Sequence, residues 1–166
     1  MKLRPLRPAD APLMLEWMHD ENVTYHLSGN FAAKQASDCL AFIAACGDTT
    51  ENWHLAIADE ADEYMGTVSL KHIDPVEQEA EFAISTRSCA MGKGISRAAM
   101  AEMLHLGFTE RGLKRIYWCV APENARAVRF YDKNGYQRVA VQMLPAARRW
   151  YTPEQQSHYL WYCVSK

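Results

Sequence analysis

Strand-length apolar runs flank one long helical stripe near the middle of the chain, and that arrangement narrows the folds open to it. Met100, Met103, Leu104, Gly107 and Phe108 recur at i, i+3, i+4, i+7 and i+8, one face of a helix over about 95–111. Ahead of it, Trp53–Ala58, 64–73 and 79–85 have strand character, and Asp74-Pro75 marks a turn between the last two. These three segments are expected to form an antiparallel meander. Behind the helix, Arg115–Val120 is a short apolar run of strand length. Sheet and helix must bury their apolar faces against each other, which predicts an α/β or α+β domain with a mixed sheet.

The flanking segments complete the order β-α-α-β-β-β-α-β-α-β-β. Residues 2–7 read as a strand with Leu3 and Leu6 turned to the core. Asp10 is placed to cap a helix over 11–19, with Leu13, Met14, Trp17 and Met18 on one side. A loop through Ser28-Gly29-Asn30 leads to a second helix over about 34–46, with Gly47 just past its end. Pro122-Glu123-Asn124 signals a further helix start and Gly135 its end. Segments 136–143 and 158–164 read as the last two strands, joined by a loop that carries Pro145 and Pro153. At 166 residues, one domain over 1–166 is expected, long enough to bury a substantial core.

Charge and cysteine usage remove several function classes. A net charge of -2, with no block of Lys or Arg, gives no case for nucleic acid as a partner. No apolar stretch is long enough to span a bilayer, and the start has no apolar signal core, so neither a membrane nor a secretory route is expected. The five cysteines are odd in number and lack a CxxC pair, which suggests reduced thiols and a cytoplasmic setting. Neither they nor the six histidines have metal-ligand spacing, so no metal is expected.

Met91-Gly92-Lys93-Gly94-Ile95-Ser96 opens the long helix. A helix start presents unpaired N–H groups and the positive end of a dipole, and glycines let the backbone approach an anion. The run is not a P-loop, because Lys93 is followed by Gly94 rather than Ser or Thr. Nor is it a dinucleotide fingerprint, because Arg97 stands where the third glycine belongs. The plain alternative is a glycine-rich turn with no ligand. Further along, Asn124, Ala127, Phe130, Tyr131, Gly135 and Tyr136 form a second segment. Ala127, Phe130 and Tyr131 share a helix face.

Together the two segments resemble the acyl-CoA-binding core of the GNAT N-acetyltransferases. The second matches the family's N-x-x-A-x-x-F-Y-x-x-x-G-F/Y pattern at every spacing. The first aligns with Gln/Arg-x-x-Gly-x-Gly/Ala as Met91-x-x-Gly94-x-Ser96, and Met91 departs from it. Backbone contacts to phosphate do not depend on that side chain, but any polar role at the position is lost. The resemblance implies a mostly antiparallel central sheet flanked by helices, with a splayed central strand pair. It also implies acetyl-CoA as cosubstrate. Its phosphates would lie on Met91, Gly92, Lys93, Gly94, Ile95, Ser96 and Arg97. Its pantetheine arm would pair like an added strand near Ile84, Ser85 and Thr86. Asn124, Phe130 and Tyr131 would complete the cofactor site, although Asn124 also suits a helix cap and Phe130 suits core packing.

An amine that attacks acetyl-CoA expels a thiolate, and the phenol of Tyr131 is placed by the resemblance to protonate it. The alternative is a core tyrosine with a structural hydroxyl. A main-chain N–H near Ile84 is the expected oxyanion donor. A lysine-like amine has a pKa of about 10.4, so roughly one molecule in two thousand is the free base at pH 7. Turnover therefore needs a proton acceptor, and Glu81 is the candidate base, directly or through water. Glu79, on the same strand face, is read as a solvated surface acid, and His72 as an exposed loop residue. His19, His26 and His54 would fit an acceptor pocket, but their spacing gives no support. Trp17, Trp53, Trp150 and Trp161 are read as core or interface anchors.

The segment from Met65-Gly66-Thr67 to Asp74, followed by Ala80-Glu81-Phe82, resembles the branch with polyamine, ribosomal-protein N-terminus and nucleotide-aminosugar acetyltransferases. Acids at Asp59, Glu60, Asp62, Glu63, Glu77 and Glu79 would suit a cationic acceptor, or be solvated loop charges. A small-molecule amine is the first expectation and a protein N-terminus the second. A CoA-binding sensor without turnover is the alternative from another class. A monomer or a homodimer is expected, the latter through the aromatic run Tyr159-Leu160-Trp161-Tyr162.

Overall fold

Each strand read from the sequence forms, the one expected over 136–143 as two residues only. The computed structural model describes residues 1–27 and 29–166, so Ser28 of the loop expected there lies outside the described residues. In chain order the elements are β1 (Lys2–Pro5), α1 (Ala11–Met18), α2 (Glu21–Thr24), α3 (Ala36–Ala45), β2 (Trp53–Ala58), β3 (Tyr64–Asp74) and β4 (Glu79–Thr86). They continue with α4 (Ile95–Thr109), β5 (Arg115–Val120), α5 (Ala125–Lys133), β6 (Arg138–Val139), α6 (Pro145–Trp150), α7 (Pro153–His158) and β7 (Leu160–Ser165). The strands make one seven-stranded sheet in the order β1-β2-β3-β4-β5-β7-β6. Among the described residues, no helix is long and apolar enough to cross a membrane.

Every neighbouring pair is antiparallel except β4 and β5. Those two run parallel because α4 carries the chain back between them, as parallel neighbours require. Their ladder is short: Glu79 pairs Arg115, Ala80 pairs Ile116 and Glu81 pairs Tyr117. Beyond Glu81 the strands part. β4 continues beside β3 to Thr86, and β5 continues beside β7 to Val120. The mixed, mostly antiparallel sheet with a splayed central pair is therefore the observed architecture.

The two faces of the sheet are covered differently. On one, Ala99, Met100, Met103 and Leu104 of α4 pack on Val68, Leu70, Ala80, Phe82, Ile116 and Trp118. Each buried Met or Leu contributes about 1.5–3 kcal/mol of transfer free energy. On the other, α1 and α3 lay Ala11, Met14, Trp17, Cys39 and Ile43 over Ala56 and Tyr64. At the far end of that same face, Leu144, Ala146 and Ala147 cover Tyr117 and Trp161. The middle, where Glu81, Ala83 and Ser85 point, lies between the two covers.

Several local expectations are corrected. Asp10 precedes α1 but does not cap it. Its carboxylate accepts from the Arg7 main-chain N–H at 3.0 Å and from both terminal nitrogens of Arg4 at 2.8 and 2.9 Å. Gly47 follows α3 without a left-handed φ. Segment 136–143 is a two-residue strand, β6, followed by a 3-10 turn over Val141–Met143. The loop expected at Pro145 and Pro153 is two short helices, each with proline in its first turn, where the missing N–H costs nothing.

Candidate active site

Glu81 occupies the last rung that joins β4 to β5, at the point where the splay begins. It is 2% exposed, and its carboxylate is held by two partners from outside its own strand. His72 Nδ1 lies 3.1 Å from Oε1, and the Tyr151 hydroxyl donates to Oε2. His72 sits in β3 where the register with β4 shifts, with φ +52°, and its ring stacks on Trp150 at 3.8 Å and 7°. The expectation of an exposed loop histidine is therefore corrected: the bulge turns the ring back over the sheet. Burial, reinforced by Cys119 and Glu81, pushes the Tyr151 phenol far above its ordinary value, so it remains a donor. Burial also pushes the neighbouring Cys119 thiol up to about 12, which leaves it protonated and unreactive at neutral pH.

Glu79 is not a solvated surface acid. It is 7% exposed, burial raises its carboxyl above the ordinary value, and Arg115 lies 3.5 Å away. Period-2 alternation indicated the right face for it, but the segment around α6 covers part of that face.

Tyr131 stands on the α4 side of the sheet, across β4 and β5 from the face that carries Glu81. It is 8% exposed, with ring centroids 5.4 Å from Trp118 and 5.1 Å from Tyr162. Trp118 is the first β5 residue beyond the rungs shared with β4. Burial drives the Tyr131 phenol far above its ordinary value, and no hydrogen bond to a described residue engages its hydroxyl. The indole N–H of Trp118 is also buried and unpartnered among the described residues. Phe130 is half-buried against the same core. Asn124 caps α5, its side-chain oxygen accepting the Ala127 N–H at 3.2 Å.

The turn before α4 has the backbone an anion cradle needs. Gly92 and Gly94 both take φ +76°, a left-handed conformation that L side chains avoid, and Gly94 is the residue that starts the helix. No side chain caps that start. Gly92, Lys93, Gly94 and Arg97 are exposed, and Ile95 and Ser96 are partly so. Met91 is contacted on its sulfur by the Arg126 guanidinium from α5. Sequence reading passed over Arg126, although it lies inside the Asn124–Tyr136 segment. The helical spacing that marked Ala127 as close-packed leaves its neighbour free to reach the turn.

Ile84, Ser85 and Thr86 form the last β4 residues along the splay. Gly66 of β3 lies so close that a Cβ there would meet the Ser85 carbonyl oxygen at 2.4 Å and the Thr86 Cα at 2.9 Å. Arg87 then ties this end of β4 to α1, donating to Glu16 at 2.5 and 3.2 Å, to Glu63 at 2.6 Å and to the Tyr64 carbonyl at 3.0 Å.

A cavity of about 270 Å³ opens between α1, α3 and β4 on the Glu81 face, with Trp17, Phe31, Phe42, His54 and Ala83 among its walls. Of the histidines considered, His54 is one that lines it. His54 Nδ1 is 2.6 Å from Ser69 Oγ, and burial, with Lys71 nearby, holds its pKa down at about 4. The acids of the β2–β3 connection are committed elsewhere. Asp62 binds Arg4, Arg7 and Lys2, Glu63 binds Arg87, and Glu60 binds the N-terminal amine.

The family model for the acetyltransferase (GNAT) domain matches residues 1–137. The chain belongs to the GNAT acetyltransferase family, and by class it is an N-acetyltransferase. An uncharacterized N-acetyltransferase p20 of Bacillus licheniformis is 26% identical over 141 residues, 83% of this chain and 79% of that protein. Spermidine N(1)-acetyltransferase of Vibrio cholerae is 34% identical over 80 residues, only 48% of this chain and 46% of that enzyme. The crystal structure of spermidine N-acetyltransferase from Vibrio cholerae in complex with CoA and spermine has a TM-score of 0.74 at 23% identity, over 83% of this chain and 81% of that one. A GNAT-family acetyltransferase from Bacillus anthracis also has a TM-score of 0.74, at 19% identity, over 98% and 93% of the two chains. At these identities the structural likeness establishes the fold.

Proposed function

We propose that the chain transfers an acetyl group from acetyl-CoA to the primary amine of a small molecule by direct attack in a ternary complex. The observation that carries this reading is the splay, with a buried carboxylate at its vertex on one face and a buried, unengaged phenol on the other. Residues 1–166 would act as one catalytic domain. The phosphates of acetyl-CoA would lie on main-chain N–H groups of Gly92–Arg97, with Lys93 and Arg126 adding charge. The pantetheine amides would pair with β4 at Ile84–Thr86, where no β5 rung competes. CoA and polyamines are bound or acetylated by relatives of the same fold, which supports the assignment.

In the reaction, the amine nitrogen attacks the thioester carbonyl and its proton passes to Glu81. His72, partly exposed beside that carboxylate, connects it to solvent. The C–S bond then breaks, and Tyr131 gives its proton to the departing sulfur. A phenol raised by burial is protonated throughout the neutral range, so every enzyme molecule carries the proton it must deliver. The chemistry uses no cysteine, in keeping with a Cys119 thiol that burial keeps neutral.

The test is release of CoA thiol from acetyl-CoA across a panel of amines, run beside Tyr131→Phe. General-acid assistance is worth about 10² to 10⁴ in rate, so kcat should fall by that factor while acetyl-CoA affinity holds. An unchanged kcat removes Tyr131 from the mechanism.

A further inference from the structure

The acceptor cavity differs from what a polyamine would need. Its floor is Ala83, Ile84 and Ser85, the β4 residues that follow Glu81 along the open strand. Its walls are Met14, Trp17 and Met18 of α1, Phe31, and Phe42 of α3. The rings are arranged as a partial cage: Trp17 and Phe31 centroids are 5.4 Å apart at 57°, and Phe42 is 4.8 Å from the His54 ring at 58°. At about 270 Å³ the space suits one small ligand.

Charge is scarce in this cavity. Lys34 and Asp38 are its two ionic side chains, both exposed and opposite in sign, and the Asp38 carboxylate already accepts the Gln35 N–H at 2.8 Å. His54 is neutral at pH 7. The acids of α1 and its C-terminal end are also committed, Glu16 to Arg87 and Asp20 to Ser88 and the Asn22 N–H. A triamine or tetramine would bring further ammonium groups into an aromatic pocket whose one carboxylate, Asp38, stands exposed with one oxygen on the Gln35 N–H, too few to pair them all, and unpaired buried charge is strongly disfavoured. An aromatic or alkyl body would instead replace water along these walls.

We infer that the acceptor is a primary monoamine on an aromatic or aliphatic body, held by Trp17, Phe31 and Phe42 with its nitrogen turned toward Glu81. This rests on the N-acetyltransfer reading for its chemistry: the nitrogen gains the acetyl group, its proton goes to Glu81, and CoA leaves as the thiol. The binding preference rests on the cavity alone. Among the relatives above are spermidine enzymes, so the inference separates this chain from them.

The experiment compares kcat/KM for phenethylamine, hexylamine and spermidine by thiol release, in the wild-type chain and in Phe42→Glu. Phe42 is at the rim and 37% exposed, so the substitution spares the core. The monoamines should exceed spermidine by about tenfold or more, and Phe42→Glu should narrow that ratio by a similar factor, the scale at which apolar pockets discriminate. Spermidine equal to or better than the monoamines overturns the inference and leaves acetyl transfer standing. If acetyl-CoA binds but no amine releases thiol, the transferase reading fails instead. Calorimetric titration with phenethylamine then decides the cavity: saturable binding weakened in Phe42→Glu supports it, and no binding overturns it.

Discussion

The cofactor side and the acceptor side of the splay are built in different ways. The proposed cofactor side comes chiefly from two contiguous segments, the glycine turn at 91–97 and the α5 segment from Asn124 to Tyr136, together with the open β4 edge at Ile84–Thr86. Its geometry is local: two left-handed glycines, an uncapped helix start and an asparagine cap. The proposed acceptor side would be assembled from α1, α3, β2, β3, β4, and the first residue past α6. A nucleotide cofactor can be gripped by backbone, which depends little on side-chain identity. Choosing an acceptor takes side chains gathered from distant parts of the chain, and these can change without disturbing the cradle.

Substitutions on the two sides should therefore separate kcat from cofactor affinity. After Tyr131→Phe, the largest effect is expected at Glu81→Gln, with kcat down about 10²-fold at pH 7, acetyl-CoA binding unchanged, and recovery as rising pH deprotonates the amine without help. A pH-independent loss would show that Glu81 only supports the fold. Gly66→Ala comes next. It forces a methyl into the β4 main chain at a 2.4 Å approach, for a loss of about 1–3 kcal/mol in denaturant unfolding. Gly94→Val should place about 1–2 kcal/mol of left-handed strain at the start of α4. Its main readout is a weaker Kd for acetyl-CoA, with acceptor KM little changed. If acceptor KM moved as much, the division between the sides would not hold.

The smallest effect concerns pH. His54 titrates near 4 in the folded chain against 6.5 for a free histidine, so the unfolded state takes up a proton first as pH falls. Its contribution is complete above pH 6.5 and lost progressively down to pH 4. After discounting for partial exposure, about 1 kcal/mol should disappear by pH 5. Thermal unfolding of wild type and His54→Gln at both ends of that window would reveal it as a pH slope smaller in the variant.

Much of the fold was readable because long elements repeat their signal. Trp53–Ala58 and Arg115–Val120 have the bounds alternation and apolar length suggest, and the stripe from Met100 to Phe108 lies on α4. The failures share a cause. Between 136 and 158 the elements are too short to show a period, and Pro145 and Pro153 start helices where they suggested a loop. Asp10 spends its carboxylate on Arg4, a partner that sequence distance conceals only in part. On the site, the glycine turn and the α5 segment were legible because backbone conformation is written locally. The surroundings of Glu81 were not. His72 reaches it through a shift in strand register, and Tyr151 through a chain separation of seventy residues. Nothing in a short window encodes either meeting.

The brevity of the β4–β5 ladder has a mechanical consequence. Strands β1 to β4 form one leaf and β5, β7 and β6 another, with a seam of three rungs between them and α4 lying across the join. A polyamide threaded beside β4 would act as a stitch, tying the leaves along a length the protein itself leaves unsewn. Amide hydrogens in β7, the next strand beyond β5 in the second leaf, should then exchange more slowly although the thread never reaches them.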